Sequence, residues 1–274
     1  MEFFVALAVI SISFALLYAW RTGYVRRRRE RIRSQPFPDN WERILQECVA
    51  LYRMMPSNTR ERLKQKILVF IGEKRFEGCN GLEITDEIRL TVAAQACLLL
   101  VQQPGDSLYP GLVSILVYPD AYLAPEFIPI DDNLYVETTG VQSGESWREG
   151  LVVLSWKDVK VESRSLKQGY NVVLHEFAHQ LDQENGWADG TPILRDQDHY
   201  RAWQATFNRE FERIQEDRTG YPLDEYGAQD PAEFFAVATE TFFHLPRRMR
   251  REIPHLYESL KGYYGLDPAT WKKT

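Results

Sequence analysis

The sequence predicts an α+β protein in which helices, a small sheet and a second, mostly helical part follow one another, behind an apolar N-terminal helix. Three observations carry this. Apolar residues recur at helical spacing between Trp41 and Val101, the period shortens to strand-like runs between Val113 and Trp156, and helical spacing returns after Tyr170. Composition agrees with a packed domain: 44% of the 274 residues are hydrophobic and 26% charged, which excludes a disordered or collagen-like chain. Cys48, Cys79 and Cys97 cannot build a disulfide framework and lack CxxC spacing. They fit a reducing compartment and argue against a cysteine-based zinc ribbon or finger.

The first element is Phe3 to Trp20, which carries no charge and only two serines. At a rise of about 1.5 Å per residue it would span roughly 27 Å, near the hydrocarbon thickness of a bilayer. Glu2 ahead of it and Leu17-Tyr18-Ala19-Trp20 at its end fit a cleaved signal peptide poorly. Residues 21–33 hold seven arginines against one acid, Glu30. The positive-inside rule then predicts a single-pass inner-membrane protein with its N-terminus outside. The expected division is a transmembrane anchor at 1–20, a basic juxtamembrane linker at 21–36 and one cytoplasmic domain at 37–274. The whole chain has a net charge of −6, so the body beyond the basic collar is acidic. Direct nucleic-acid binding is not expected, and the arginines are read as fixing topology against anionic lipid.

Pro36 and Pro38 mark a linker over Gln35–Asn40, and Ile44, Leu45, Cys48, Val49 and Tyr52 predict a helix from Trp41 to Met55 that Pro56 ends. Asn58-x-x-Glu61 has the pattern of a capping box and opens a helix to about Glu73. Thr85 starts a third helix, which runs to Val101 and stops at Pro104-Gly105. Val113–Tyr118, Tyr135–Gln142 and Leu151–Trp156 read as strands, the last two separated by the polar stretch around Ser143-Gly144-Glu145-Ser146. Helices are then expected at about 171–184, 199–217, 230–244 and 254–264.

Chemistry concentrates in NVVLHEFAHQL, residues 171–181. His175 and His179, at i and i+4, lie on one face of a helix and suit a single Zn²⁺. Glu176 is turned about 100° away, where it addresses an open coordination position and serves as general base to a metal-activated water. The uncharged Val172, Val173, Leu174, Phe177, Ala178 and Leu181 suit a buried helix. Asp182 and Asn185 stand where a metzincin would need Gly and His, which excludes that class. The third ligand should come from a later helix: His199, Glu210, Glu233, Glu240 and His244 are candidates, and spacing does not choose among them. Asp230-Pro231-Ala232-Glu233 is a helix start by local rules, so Glu233 has a capping explanation as well.

HEFAHQLDQENG, followed by DEYGAQDPAEFFAVATETFF and preceded by LVYPDAYL and GVQSGESWREGLVVLSWKDV, resembles the Mlc titration factor A (MtfA) family of bacterial zinc peptidases. The likeness runs from about Phe37 to Trp271 and is dense over 113–245. It implies a zincin-like, gluzincin-type core similar to that of anthrax lethal factor. It also implies one Zn²⁺ held by His175, His179 and Glu233, with Glu176 as general base. Tyr226, seven residues before Glu233, is implied as the hydrogen-bond donor to the tetrahedral oxyanion. The best-known members of the family are soluble and bind the glucose-responsive repressor Mlc; the apolar N-terminus and basic collar depart from them, so that partnership is not carried over as the function.

The sequence therefore predicts a membrane-anchored, zinc-dependent peptidase acting on a peptide or protein substrate. The alternative from another class is a non-catalytic binding module that sequesters a transcriptional regulator, such as an Mlc-like repressor, at the membrane. A third reading is a closed structural zinc site with a fourth protein ligand such as His199.

Overall fold

The structure is a computed structural model that describes residues 2–103, 108–120, 122–131, 134–142, 144–147, 150–167, 169–217 and 221–272. The chain forms two units, Met1–Phe37 and Pro38–Thr274.

The first unit is a single helix, α1 (Glu2–Arg33). Among the described residues no helix is long and apolar enough to cross a membrane. This corrects the expected anchor at 1–20 and, with it, the single-pass inner-membrane placement with a cytoplasmic domain. The apolar segment is not a separate element flanked by charge. It continues as one helix through the arginine collar to Arg33. Residues 21–33, expected to belong to a linker, are helical.

The second unit opens with α2 (Asp39–Cys48), α3 (Ala50–Met54) and α4 (Ser57–Glu73). The one helix expected over Trp41–Met55 is split at Val49, whose backbone is extended (φ −118°) and whose side chain is buried. The capping box at Asn58 is not formed. Pro56 places the helix start at Ser57, and Asn58 Oδ1 accepts the neighbouring Thr59 N–H at 2.8 Å instead. Strand β1 (Arg75–Gly78) leads to α5 (Asp86–Leu99). Thr85 caps α5 as its position predicts, its hydroxyl accepting Ile88 N–H at 3.3 Å. Pro104 and Gly105, expected to stop this helix, lie outside the described residues.

Next come β2 (Ser114–Tyr118), β3 (Tyr122–Asp131), β4 (Leu134–Gln142), β5 (Gly144–Trp147) and β6 (Leu151–Ser155). β3 and β4 form an antiparallel hairpin. The others make a sheet in the order β1-β2-β6-β5, parallel except for β5. β2 and β6 supply its buried apolar residues Ile115, Val117, Val152 and Leu154. The sequence reading identified the strands corresponding to β2, β4 and β6 but missed β1, β3 and β5. β1 is a short polar edge strand, and β5 falls on the stretch read as a polar turn.

α6 (Trp156–Arg164) follows β6 directly, with Ser155 Oγ accepting Asp158 N–H at 3.4 Å. Then come α7 (Val172–Asp182), α8 (Gln197–Glu216), α9 (Pro231–His244), α10 (Pro246–Glu252) and α11 (Pro254–Tyr264). α7, α8, α9 and α11 match the predicted helices; α6 and α10 were not anticipated. α9 is almost wholly buried. Phe234 and Phe235 pack on Trp203 and Phe207 of α8, and Phe242 and Phe243 pack on Tyr264 of α11. Each buried phenylalanine contributes on the order of 1.5–3 kcal/mol, so α9 is a rigid rail against which α7 packs.

Candidate metal centre

Both site helices are fixed at their N-termini by side-chain caps. Asn171 Oδ1 accepts Leu174 N–H at 2.9 Å and starts α7. Asp230 Oδ1 accepts Glu233 N–H at 2.9 Å and starts α9, with Pro231 at the first helical position. α7 buries Val173, Leu174, Phe177, Ala178 and Leu181. That leaves His175 and His179 on the flank that meets α9.

There the side chains converge. His175 Nε2 lies 3.1 Å from His179 Nε2 and 3.0 Å from Glu233 Oε2, and His179 Nε2 lies 3.5 Å from Glu233 Oε1. One donor atom from each of the three residues falls within 4.8 Å of the others, so together they could hold a metal ion. The Glu233 carboxylate thus turns to the imidazoles while its own N–H is capped. Burial alone would raise its pKa, but the two histidines outweigh burial and hold it at about 2.

Glu240, two turns further along α9, takes the other side of His175. His175 Nδ1 lies 2.7 Å from Glu240 Oε1, and Asn171 N–H donates to Glu240 Oε2 at 2.5 Å. Burial disfavours the charged imidazole, yet Glu233 and Glu240 together raise the His175 pKa well above its ordinary value. With a metal in place of the Nε2 proton, a proton held on Nδ1 by Glu240 would leave Nε2 free to ligate beside Glu233 and His179. Two imidazole nitrogens and a carboxylate face one another, with Glu233 Oε2 buried against His175 Nε2. This donor set fits a zinc-type cation.

Behind this layer lies a second polar cluster. The Asn171 amide donates to Gln95 Oε1 of α5 and lies 3.2 Å from His244 Nε2. Val172 N–H donates to Glu162 Oε2 of α6 at 2.7 Å. Burial pushes the Glu162 carboxyl up to about 7, against the pull of the Val172 N–H. Burial lowers the His244 pKa to about 4.

Glu176 is buried on the same turn as His175, close enough to add to the pull on its proton. Tyr226 stands in a 3₁₀ turn, Glu225–Ala228, just ahead of α9. It is exposed, and its ring centroid is 5.9 Å from that of His175. The other third-ligand candidates are elsewhere. His199 is exposed and paired with Asp196 at 2.7 Å. Glu210 is buried among Arg209, Arg213 and Tyr221. His244 belongs to the Asn171 cluster. Sequence reasoning missed Asn171, Gln95 and Glu162. The one available signal was Asn171 as an N-cap residue directly before the histidine helix.

Two histidines one turn apart on a buried, capped helix, a carboxylate from a distant helix and a further acid beside them form a candidate metal centre in a mostly helical α+β domain. The comparisons are in accord. The profile of the glucose-regulated metallo-peptidase M90 family matches residues 24–265, and the chain belongs to that family. An uncharacterized protein of Synechocystis is 38% identical over 88% of this chain and 89% of its own length. Proteins named Mlc titration factor A are similar at 30% identity in Klebsiella pneumoniae (85% of this chain, 88% of the relative) and at 31% in Serratia proteamaculans (81% and 87%). The family is the one that the motifs resemble.

Proposed function

We propose that the chain is a zinc-dependent peptidase with a zincin-like core of the gluzincin type, in which His175, His179 and Glu233 hold one Zn²⁺. The observation that carries the reading is the convergence of these three donor groups, from two helices, within 4.8 Å of one another. Zinc held there supplies Lewis acidity and brings the pKa of a water towards neutrality. The protein's own groups do the rest. Glu240 holds the His175 Nδ1 proton and so fixes the tautomer. Glu176 takes a proton from the attacking water and delivers it to the departing amine nitrogen as the C–N bond breaks. Tyr226 donates from its phenol to the carbonyl oxygen as negative charge builds there, an interaction stronger in the transition state than in the substrate.

The test is cleavage of a mixed-sequence fluorogenic peptide library by the zinc-loaded full chain, beside Glu176→Gln at matched zinc content. Turnover in the wild type should fall by about 10²- to 10⁴-fold in the variant. Full activity in Glu176→Gln would overturn the mechanism.

The name shared by several relatives, Mlc titration factor A, favours a second reading, a module that binds a transcriptional regulator. It predicts that neither protein cleaves the library and that Glu176→Gln leaves regulator capture unchanged.

A further inference from the structure

The residue directly before the α7 cap is tied across the site. Tyr170 Oη donates to Asp224 Oδ2 at 2.7 Å, joining chain positions 54 residues apart. The other oxygen of the same carboxylate, Asp224 Oδ1, accepts Tyr226 N–H at 2.9 Å and starts the 3₁₀ turn that carries Tyr226. One carboxylate thus connects two tyrosines, both about half exposed.

Each end of this connection is anchored. On the Tyr170 side, Asn171 N–H is held by Glu240, the acid that also holds His175. Gly169 has φ +81°, and a Cβ there would meet Leu245 at 3.1 Å, so the backbone ahead of Tyr170 is seated against the end of α9. On the Tyr226 side, Gly227 lies so close to α9 that a Cβ would come within 3.3 Å of Val237 Cβ and 3.5 Å of Phe234 Cα. The turn is therefore supported from below by α9, while across its opening the Tyr170–Asp224 bond links it to the backbone that carries His175.

We infer that Tyr170 is a positioning residue: through Asp224 it sets the orientation of Tyr226 towards His175. The inference rests on the reading of Tyr226 as the oxyanion donor. It adds that the donor's placement is enforced by a hydrogen bond to the start of the histidine helix and not by packing alone. A donor whose placement is lost stabilises the transition state less while leaving substrate binding almost untouched, so the cost falls on kcat.

The experiment compares Tyr170→Phe, Tyr226→Phe and the double variant in the zinc-loaded full chain, with the fluorogenic peptide pool as probe. Tyr170→Phe keeps the ring and removes only the hydroxyl. It should lower kcat about tenfold with KM within about twofold, and in the Tyr226→Phe background it should have no further effect. A Tyr170→Phe loss that persists undiminished in that background, or no loss at all while Tyr226→Phe is impaired, overturns the inference and spares the role of Tyr226. A Tyr226→Phe protein with full turnover instead removes the oxyanion reading itself. A second measurement is independent of turnover. In protein labelled with 3-fluorotyrosine, the Tyr226 ¹⁹F resonance, assigned by its disappearance in Tyr226→Phe, should shift and narrow in Tyr170→Phe as the ring gains freedom. An unchanged resonance overturns the inference whatever the kinetics show.

Discussion

His175 is gripped from both ring nitrogens, by Glu233 on one side and by Glu240 on the other. The two acids are seven residues apart on α9, so they lean the same way from successive double turns. Sequence spacing could not rank them for this reason: it places both on much the same face of one helix and is silent on what each meets. The structure separates them, since Glu233 also approaches His179 while Glu240 is committed to Asn171. Glu240→Gln should therefore keep the helix but weaken zinc binding by about 10- to 100-fold, measured by competition with a chromophoric chelator. An unchanged affinity would show that His175 needs no acid behind it. Asn171 also has more than one task, capping α7 and bonding to α5 through its amide. Asn171→Ala should cost about 1–3 kcal/mol in urea unfolding, the sum of a lost cap and a lost buried bond.

Among elements, α9 was legible because its punctuation is local, Asp230 as cap with Pro231 inside the first turn, and α7 because uncharged residues flank its histidines with no proline among them. β1 and β5 were not, because a polar edge strand is defined by the neighbour it pairs with and not by its own residues. The parallel pairing of β1, β2 and β6 depends in the same way on segments far apart in sequence. Nor does any local signal announce that α6 supplies Glu162 to the first turn of α7. That contact gives a pH dependence of known sign. The folded-state pKa of Glu162 is raised from the ordinary glutamate value to about 7, chiefly by burial, so the native state binds the proton more tightly than the unfolded chain. Its contribution to stability is complete below the unfolded pKa and is lost as pH rises through about 7. Glu162→Gln keeps an acceptor for Val172 N–H and removes the ionisation. Its Tm should exceed the wild type by about 2–6 °C at pH 8, and the two should converge near pH 5 in thermal unfolding followed by circular dichroism. Parallel curves would dissociate Glu162 from the effect.

For the whole molecule, the three candidate donor residues come from two helices that the rest of the fold must bring together, so metal binding there would be linked to folding. Zinc at about 100 times its Kd should add about 2.7 kcal/mol to the unfolding free energy. The rise should be absent in His175→Ala; an equal rise there would place the ion elsewhere. Phe3–Trp20 satisfied a length rule by itself, but the helix that contains it runs on through seven arginines. The order of the parts along the chain has one more outcome. His175 and His179 leave the ribosome well before Glu233, and Glu240 follows His175 by 65 residues. A growing chain that has made α7 but not α9 has neither the third donor nor the acid that holds the first. The proposed hydrolytic site would therefore be incomplete through most of synthesis, when the unfolded segments of the same polypeptide, and those of its neighbours on a polysome, would be the nearest peptides to cut.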